Sequence, residues 1–367
     1  VSTPSPDPAR QERARRYAAL QRRLLLLDLI LGFGYLAVVQ FSGFAVWLRD
    51  RMPDPLPLGA ALFALVLGAI AGVLTAPLSY LSGYLLPRRY GLLVQSFHGW
   101  LLDRLKGLVL AGLLGVVILE ALVLLLHWLP EYWWLGVAAV LLLVNVVLAN
   151  LAPVLILPLF YRLRPLEDEE LVRRLTALAE RAGTRVRGVA VMAMSGKTTA
   201  TNAALMGLGN TRQIVLGDTM LDRYTPAEIE VVLAHELAHH VHRDIGKGIL
   251  LQTVVTLVGL WVANLVLQAG VRALGLNGPS DLAALPLVAL TLGLYGLLSQ
   301  PIVNWYSRSI ERAADRFALA LTGNREAFLS VMTKLHDQNL SEADPPAWVK
   351  LWLYSHPPYR ERIALAA

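Results

Sequence analysis

The sequence predicts a mainly α fold: a polytopic α-helical membrane protein of about six spans with a small α+β domain. Three observations predict it. Of 367 residues, 56% are hydrophobic and 16% charged, with a mean hydropathy of +0.52, values that soluble domains rarely reach. Six apolar runs, at about 24–48, 57–86, 107–127, 133–161, 246–269 and 282–306, each meet or exceed the ~20 residues that cross a bilayer. Between the fourth and fifth runs, residues 162–245 have an ordinary soluble composition.

The first run follows a basic N-terminus. Its length and the lack of a small-residue cleavage site favour a retained helix over a signal peptide. Arg10, Arg13, Arg15, Arg16, Arg22 and Arg23 precede it, and Arg88, Arg89, Arg104 and Lys106 lie between the second and third runs. The opposite loops carry only Arg49, Arg51 and Arg272. Basic loops stay cytoplasmic, so both termini and residues 162–245 are expected there. The net charge of +6 is thus a topology signal, and no nucleic-acid partner is expected. Trp128, Trp133 and Trp134 suit an interface. Asp28, Glu120, Asn145, Asn150 and Asn304 fall within apolar runs, where they either line a wet chamber or bond between helices.

Within the soluble stretch, Leu166 to Ala182 is amphipathic and reads as a helix. Val186 to Met194 and Arg212 to Leu216 read as strands, with a short extended piece near Thr201–Met206 and a polar stretch running to Asn210. Thr225, Pro226 and Glu228 form a cap, a first-turn proline and a capping box. The helix they start runs on towards the fifth span. The domains expected are 1–161, 162–246, 247–306 and 307–367.

That helix contains His235-Glu-Leu-Ala-His239. Histidines four apart share a helix face and converge on one metal, while Glu236 stands beside it as a general base. The chain has no cysteine, so a transition metal must be held by His, Asp or Glu, and disulfides are excluded. A hydrolytic zinc takes three protein ligands. His242 shares the face but is too far along a straight helix, His240 points elsewhere, and the position six beyond the pentad is Ile245. Glu311 is the better candidate. Asp315, four residues on, can accept from a ligand histidine. A surface ion pair of Glu311 with Arg308 or Arg312 is the plainer alternative.

These residues, with Pro158-Leu-Phe, Pro165-Leu-Glu-Asp, Thr201-Asn-Ala-Ala-Leu-Met-Gly-Leu-Gly, Arg212-Gln-Ile-Val-Leu-Gly-Asp-Thr-Met-Leu, Ser307-Arg-x-x-Glu-x-x-Ala-Asp315 and Tyr354-Ser-His-Pro-Pro…Glu361-Arg-Ile, resemble the CAAX prenyl protease 1 family of integral-membrane zinc endopeptidases. The HtpX-type proteases are the related alternative. The resemblance runs from about 150 to 365. It implies a zinc-metalloprotease domain holding one Zn2+ by His235, His239 and Glu311, with Glu236 as base and Asp315 orienting a ligand. It implies that His356 and Arg362 meet the substrate backbone or the oxyanion. Asn202, Ala203 and Ala204 would lie on the edge strand that pairs with an extended peptide. Taken alone, His356 reads as a turn residue beside Pro357-Pro358.

The expected activity is peptide hydrolysis at the cytoplasmic membrane face, on a peptide or protein that is prenylated or membrane-associated. The alternatives are a quality-control protease of membrane proteins and a non-catalytic transporter or scaffold. The prenyl protease has five spans before its catalytic helix and this chain four, so it reads as a shortened prokaryotic relative. Leu-, Ala- and Arg-rich usage fits a bacterial inner (plasma) membrane.

Overall fold

A computed structural model describes residues 7–207 and 212–366. Residues 208–211, the end of the glycine-containing stretch, lie outside them. Among the described residues, six helical segments are long and apolar enough to cross a membrane. The first is α1 (Pro8–Phe41), followed by the short α2 (Phe44–Arg49). The second comprises α3 (Leu56–Tyr80), a π-helical turn and α4 (Leu86–Arg89), and the third is α5 (Phe97–Trp128). The fourth begins as α6 (Trp133–Leu151) and continues through a π-helical turn into α7 (Leu157–Phe160). The prolines Pro87 and Pro158 sit at those π-to-α joints, where their missing N–H removes a helical hydrogen bond. The span flanks leave Leu65, Val73, Leu113, Leu250 and Leu298 between 66% and 75% exposed, a surface that hydrocarbon covers and water does not.

The soluble part begins with β1 (Leu163–Pro165) and α8 (Glu169–Arg181), then β2 (Val189–Met192), β3 (Ala203–Met206) and β4 (Gln213–Gly217). The short α9 (Asp218–Leu221) leads to α10 (Pro226–Val241). The sheet order is β1-β2-β4-β3, with β2 and β4 parallel and the outer pairs antiparallel. Strand β2 is buried on both faces. One face joins a core that includes Leu175, Ile214, Leu216, Leu237 and Phe328. The other packs on Leu157 and Tyr161, where the fourth span ends.

The predicted capping box is present: Thr225 Oγ1 accepts from Glu228 N, and Glu228 accepts from Thr225 N at 2.8 Å. The helix runs through the pentad towards the fifth span, as expected, but does not join it. α10 stops at Val241, and Arg243 adopts φ 58° before α11 (Asp244–Ala273) starts. α12 (Leu285–Thr322) passes from the sixth span into the soluble part without a break. Two glycines let α11 approach it closely: a Cβ on Gly259 would meet the Tyr295 ring at 2.7 Å, and one on Gly270 would collide with Leu287 Cδ2. The chain ends with α13 (Arg325–Gln338), α14 (Ala347–Leu353) and α15 (Tyr359–Ala364).

The basic segments lie on the side of the soluble part. Arg22 pairs with buried Glu342 at 2.5 Å, Gln11 bonds His336 at 2.7 Å, and Lys197 pairs with Asp103. At the other end of the spans, Arg49 meets the buried Asp281 carboxylate at 2.5 Å. Of the polar residues in apolar runs, Asn304 bonds a neighbouring segment, donating to Trp352 O at 2.7 Å, and Asn150 bonds its own helix at Val146 O. Asp28 lines a cavity of about 760 Å³ with Arg22, Arg104 and Trp100.

Candidate metal centre

α10 and α12 are the helices that build the site, and they pack along each other. The capping box fixes where α10 begins, and its apolar residues Ile229, Leu233 and Leu237 bury it in the core. One face then presents His235 and His239, whose rings stand 5.0 Å apart and nearly perpendicular. α12 presents Glu311 opposite. His235, His239 and Glu311 each offer a donor atom, and these lie within 4.8 Å of one another.

Each imidazole is oriented from behind. His235 Nδ1 lies 2.9 Å from Asp315 Oδ1, and His239 Nδ1 lies 3.1 Å from Asp244 Oδ2. A ring that donates Nδ1–H to a carboxylate turns its Nε2 lone pair outward. Those nitrogens face Glu311: His235 Nε2 is 3.1 Å from Oε2 and His239 Nε2 is 3.7 Å from Oε1. Glu311 Oε2 is buried and accepts no hydrogen bond. Lone pairs and a carboxylate so arranged repel unless positive charge stands between them. A proton serves that need in part: burial would lower the His235 imidazole, but the Asp315 and Glu311 carboxylates raise it to about 9. A metal ion satisfies all three donors at once, so the donor set fits one.

The remaining candidates fall around this centre. Glu236 is partly buried, and burial first, then the Glu311 charge, push its carboxyl up from the usual range. That shift moves a base closer to neutrality. His356 is largely exposed and brings Nε2 to 3.4 Å from Glu311 Oε1. Arg362 does not point into open space: its Nε and Nη2 close on Asp315 at 2.8 and 2.5 Å. β3 is an edge strand of the sheet and packs beside α10. Ala203 and Ala204 pair with β4 on its inner side, and Asn202 is exposed at its start. His240, set aside as a ligand, bonds Leu205 O of that strand at 3.3 Å.

Sequence reasoning missed Asp244. Its signal is an acidic residue five positions past the second histidine, readable only once the helix break at Arg243 is known. It also missed the Arg362–Asp315 pair, whose members are 47 residues apart.

Residues 165–367 match the family model described as "Peptidase family M48". Residues 5–162 match the one described as "CAAX prenyl protease N-terminal, five membrane helices"; four of the candidate spans lie there. The "Uncharacterized metalloprotease YhfN" of Bacillus subtilis (strain 168) is 30% identical over 361 residues, covering 95% of this chain and 84% of that relative. The "CAAX prenyl protease 1 homolog" of Arabidopsis thaliana is 28% identical, over 81% of this chain and 72% of its own. "CAAX prenyl protease 1" of Saccharomyces cerevisiae (strain ATCC 204508 / S288c) is 26% identical, over 81% and 70%. The crystal structure of S. mikatae Ste24p superposes with a TM-score of 0.88 at 22% identity, covering 98% of this chain and 89% of that one. That likeness is one of fold.

Proposed function

The chain belongs to peptidase family M48 and is a multi-pass membrane metalloendopeptidase, and from that premise we propose that it uses one Zn2+ to cleave prenylated peptides at the cytoplasmic membrane face. The observation that carries the reading is the set of three converging donors, with both Nδ1 atoms committed to carboxylates and Glu311 Oε2 facing His235 Nε2 at 3.1 Å without accepting a hydrogen bond. Borderline-soft zinc suits two imidazoles and a carboxylate. When bound, the metal supplies the Lewis acidity that activates water and polarises the scissile carbonyl.

His235, His239 and Glu311 hold the ion. Glu236, which no protein hydrogen bond holds among the described residues, takes the proton of the attacking water and delivers it to the leaving nitrogen. His356, beside Glu311 Oε1, donates to the carbonyl oxygen as charge develops there. Arg362 holds Asp315, and through it the His235 ring. The substrate extends along β3, pairing with backbone groups of Asn202, Ala203 and Ala204. The docking of the basic N-terminal and 88–106 segments against the soluble part supports a cytoplasmic site. Relatives named as CAAX prenyl proteases along most of the chain support a prenylated substrate over the quality-control and non-catalytic alternatives.

The test offers purified protein in detergent a farnesylated CAAX peptide and its unprenylated twin, with mass spectrometry locating the cut. Preferential cleavage of the farnesylated peptide, by protein carrying one zinc per chain, is expected. Equal cleavage of both peptides overturns the substrate assignment, and activity without zinc overturns the metal.

A further inference from the structure

Asn304, Arg308, Glu311 and Asp315 stand on α12 at intervals of four, three and four. That spacing puts them on one helix face. All four are buried, at 3%, 4%, 8% and 0% exposure, which is costly for polar groups unless each finds a partner. They find partners along the C-terminal segment. Asn304 Nδ2 donates to Trp352 O at 2.7 Å. Arg308 Nη1 donates to Lys350 O at 2.8 Å and to Tyr354 O at 2.6 Å. Glu311 Oε1 lies 3.4 Å from His356 Nε2, and Asp315 takes the Arg362 fork.

The first two contacts have a local cause. α14 ends at Leu353, and a helix leaves its last four carbonyls without partners inside it. Lys350 O and Trp352 O are two of these. Arg308 has no carboxylate partner among the described residues. Its charge faces the negative end of α14 instead, where a cation is favoured. Two residues after the last carbonyl it holds comes His356.

We propose that Asn304 and Arg308 are positioning residues for the reaction: by capping the end of α14 they set the course of residues 354–356 and hold the His356 imidazole against the Glu311 side of the site. The metal ligand and the residue that places His356 thereby ride on one turn of one helix, so the two sides of the catalytic cleft are built to a common frame. The inference rests on the reading of His356 as a group that meets the substrate.

The experiment compares wild type, Arg308→Gln, Arg308→Lys, His356→Ala and the Arg308→Gln/His356→Ala double variant as purified full-length protein. Cleavage of the farnesylated CAAX peptide gives kcat and KM, and amide hydrogen exchange follows residues 350–356. Arg308→Gln is expected to keep its metal, to lose kcat by roughly 10- to 100-fold with KM within about threefold, and to exchange faster at 354–356. Arg308→Lys recovers part of the rate. Because both changes act on one group, Arg308→Gln costs less than about threefold further in the His356→Ala background. Losses that multiply in the double variant overturn the proposal, as does unchanged exchange at 354–356. Should Arg308→Gln fail to fold, Asn304→Ala is read by the same criteria. If the wild type cleaves no peptide, the hydrolytic reading falls separately. The exchange at 354–356, with the rate at which diethyl pyrocarbonate modifies His356, then decides the clamp: both rise in Arg308→Gln if it exists and neither does if it does not.

Discussion

Asp315 accepts from the His235 ring on one oxygen while the Arg362 guanidinium closes on both. It is wholly buried, so its charge is held by those two partners alone. Replacing it with Asn removes that charge and loosens the His235 ring. Asp315→Asn is expected to weaken metal affinity by about 10- to 100-fold, measured by competition with a chromophoric chelator; unchanged affinity would contradict the role given to Asp315. This residue was legible in the sequence because Glu311 and Asp315 are four apart on a helix, a spacing that needs no tertiary knowledge. Arg362 was legible as a site residue only through its motif. That its partner is Asp315 depends on how α15 folds back onto α12, and no local pattern carries that.

At the scale of elements, α10 was readable at its start and unreadable at its end. Thr225, Pro226 and Glu228 state a helix N-terminus in side-chain chemistry, whereas the stop at His242–Arg243 comes from a residue at φ 58° where no glycine marks the place. Three strands were anticipated: the first ran three and two residues too long at its ends, the second began two early, and the third lay within one residue at each end; β1 was not anticipated, because three exposed residues carry no burial pattern. α13 was not anticipated, and it carries a pH-sensitive contact. His336 is 6% exposed, stacks on Tyr359 and bonds the Nε2 amide of Gln11 on α1. It must be neutral to accept that bond, and burial lowers it to about 4. The unfolded chain titrates near the ordinary histidine value of ~6.5. Between those values the unfolded state binds the extra proton, so stability falls as pH drops from about 6.5 towards about 4. The apparent melting temperature of the wild type in detergent is expected to fall across that window, and His336→Gln to flatten the slope. An equal slope in both proteins would contradict this account of the contact.

For the whole molecule, hydropathy alone placed all six spans, since a bilayer demands long uninterrupted apolar helices whatever their packing. What hydropathy could not give is the joining of the two halves. Arg22–Glu342, Lys197–Asp103 and the Leu93–Thr198 bridge tie the spans to the soluble part through residues distant in sequence. α12 does so covalently, running from Leu285 in the sixth span to Asp315 behind the proposed metal ligand His235. The membrane segments therefore act as the scaffold on which the two walls of the site are aligned, and the proposed function has a membrane-anchored peptide meet the site there. The most direct test of that account compares wild type with Glu236→Gln, each carrying one bound zinc, on the farnesylated peptide. The variant is expected to bind the metal equally and to lose roughly a thousandfold or more in kcat, the scale of a lost general base. Cleavage at the wild-type rate by zinc-loaded Glu236→Gln would contradict it.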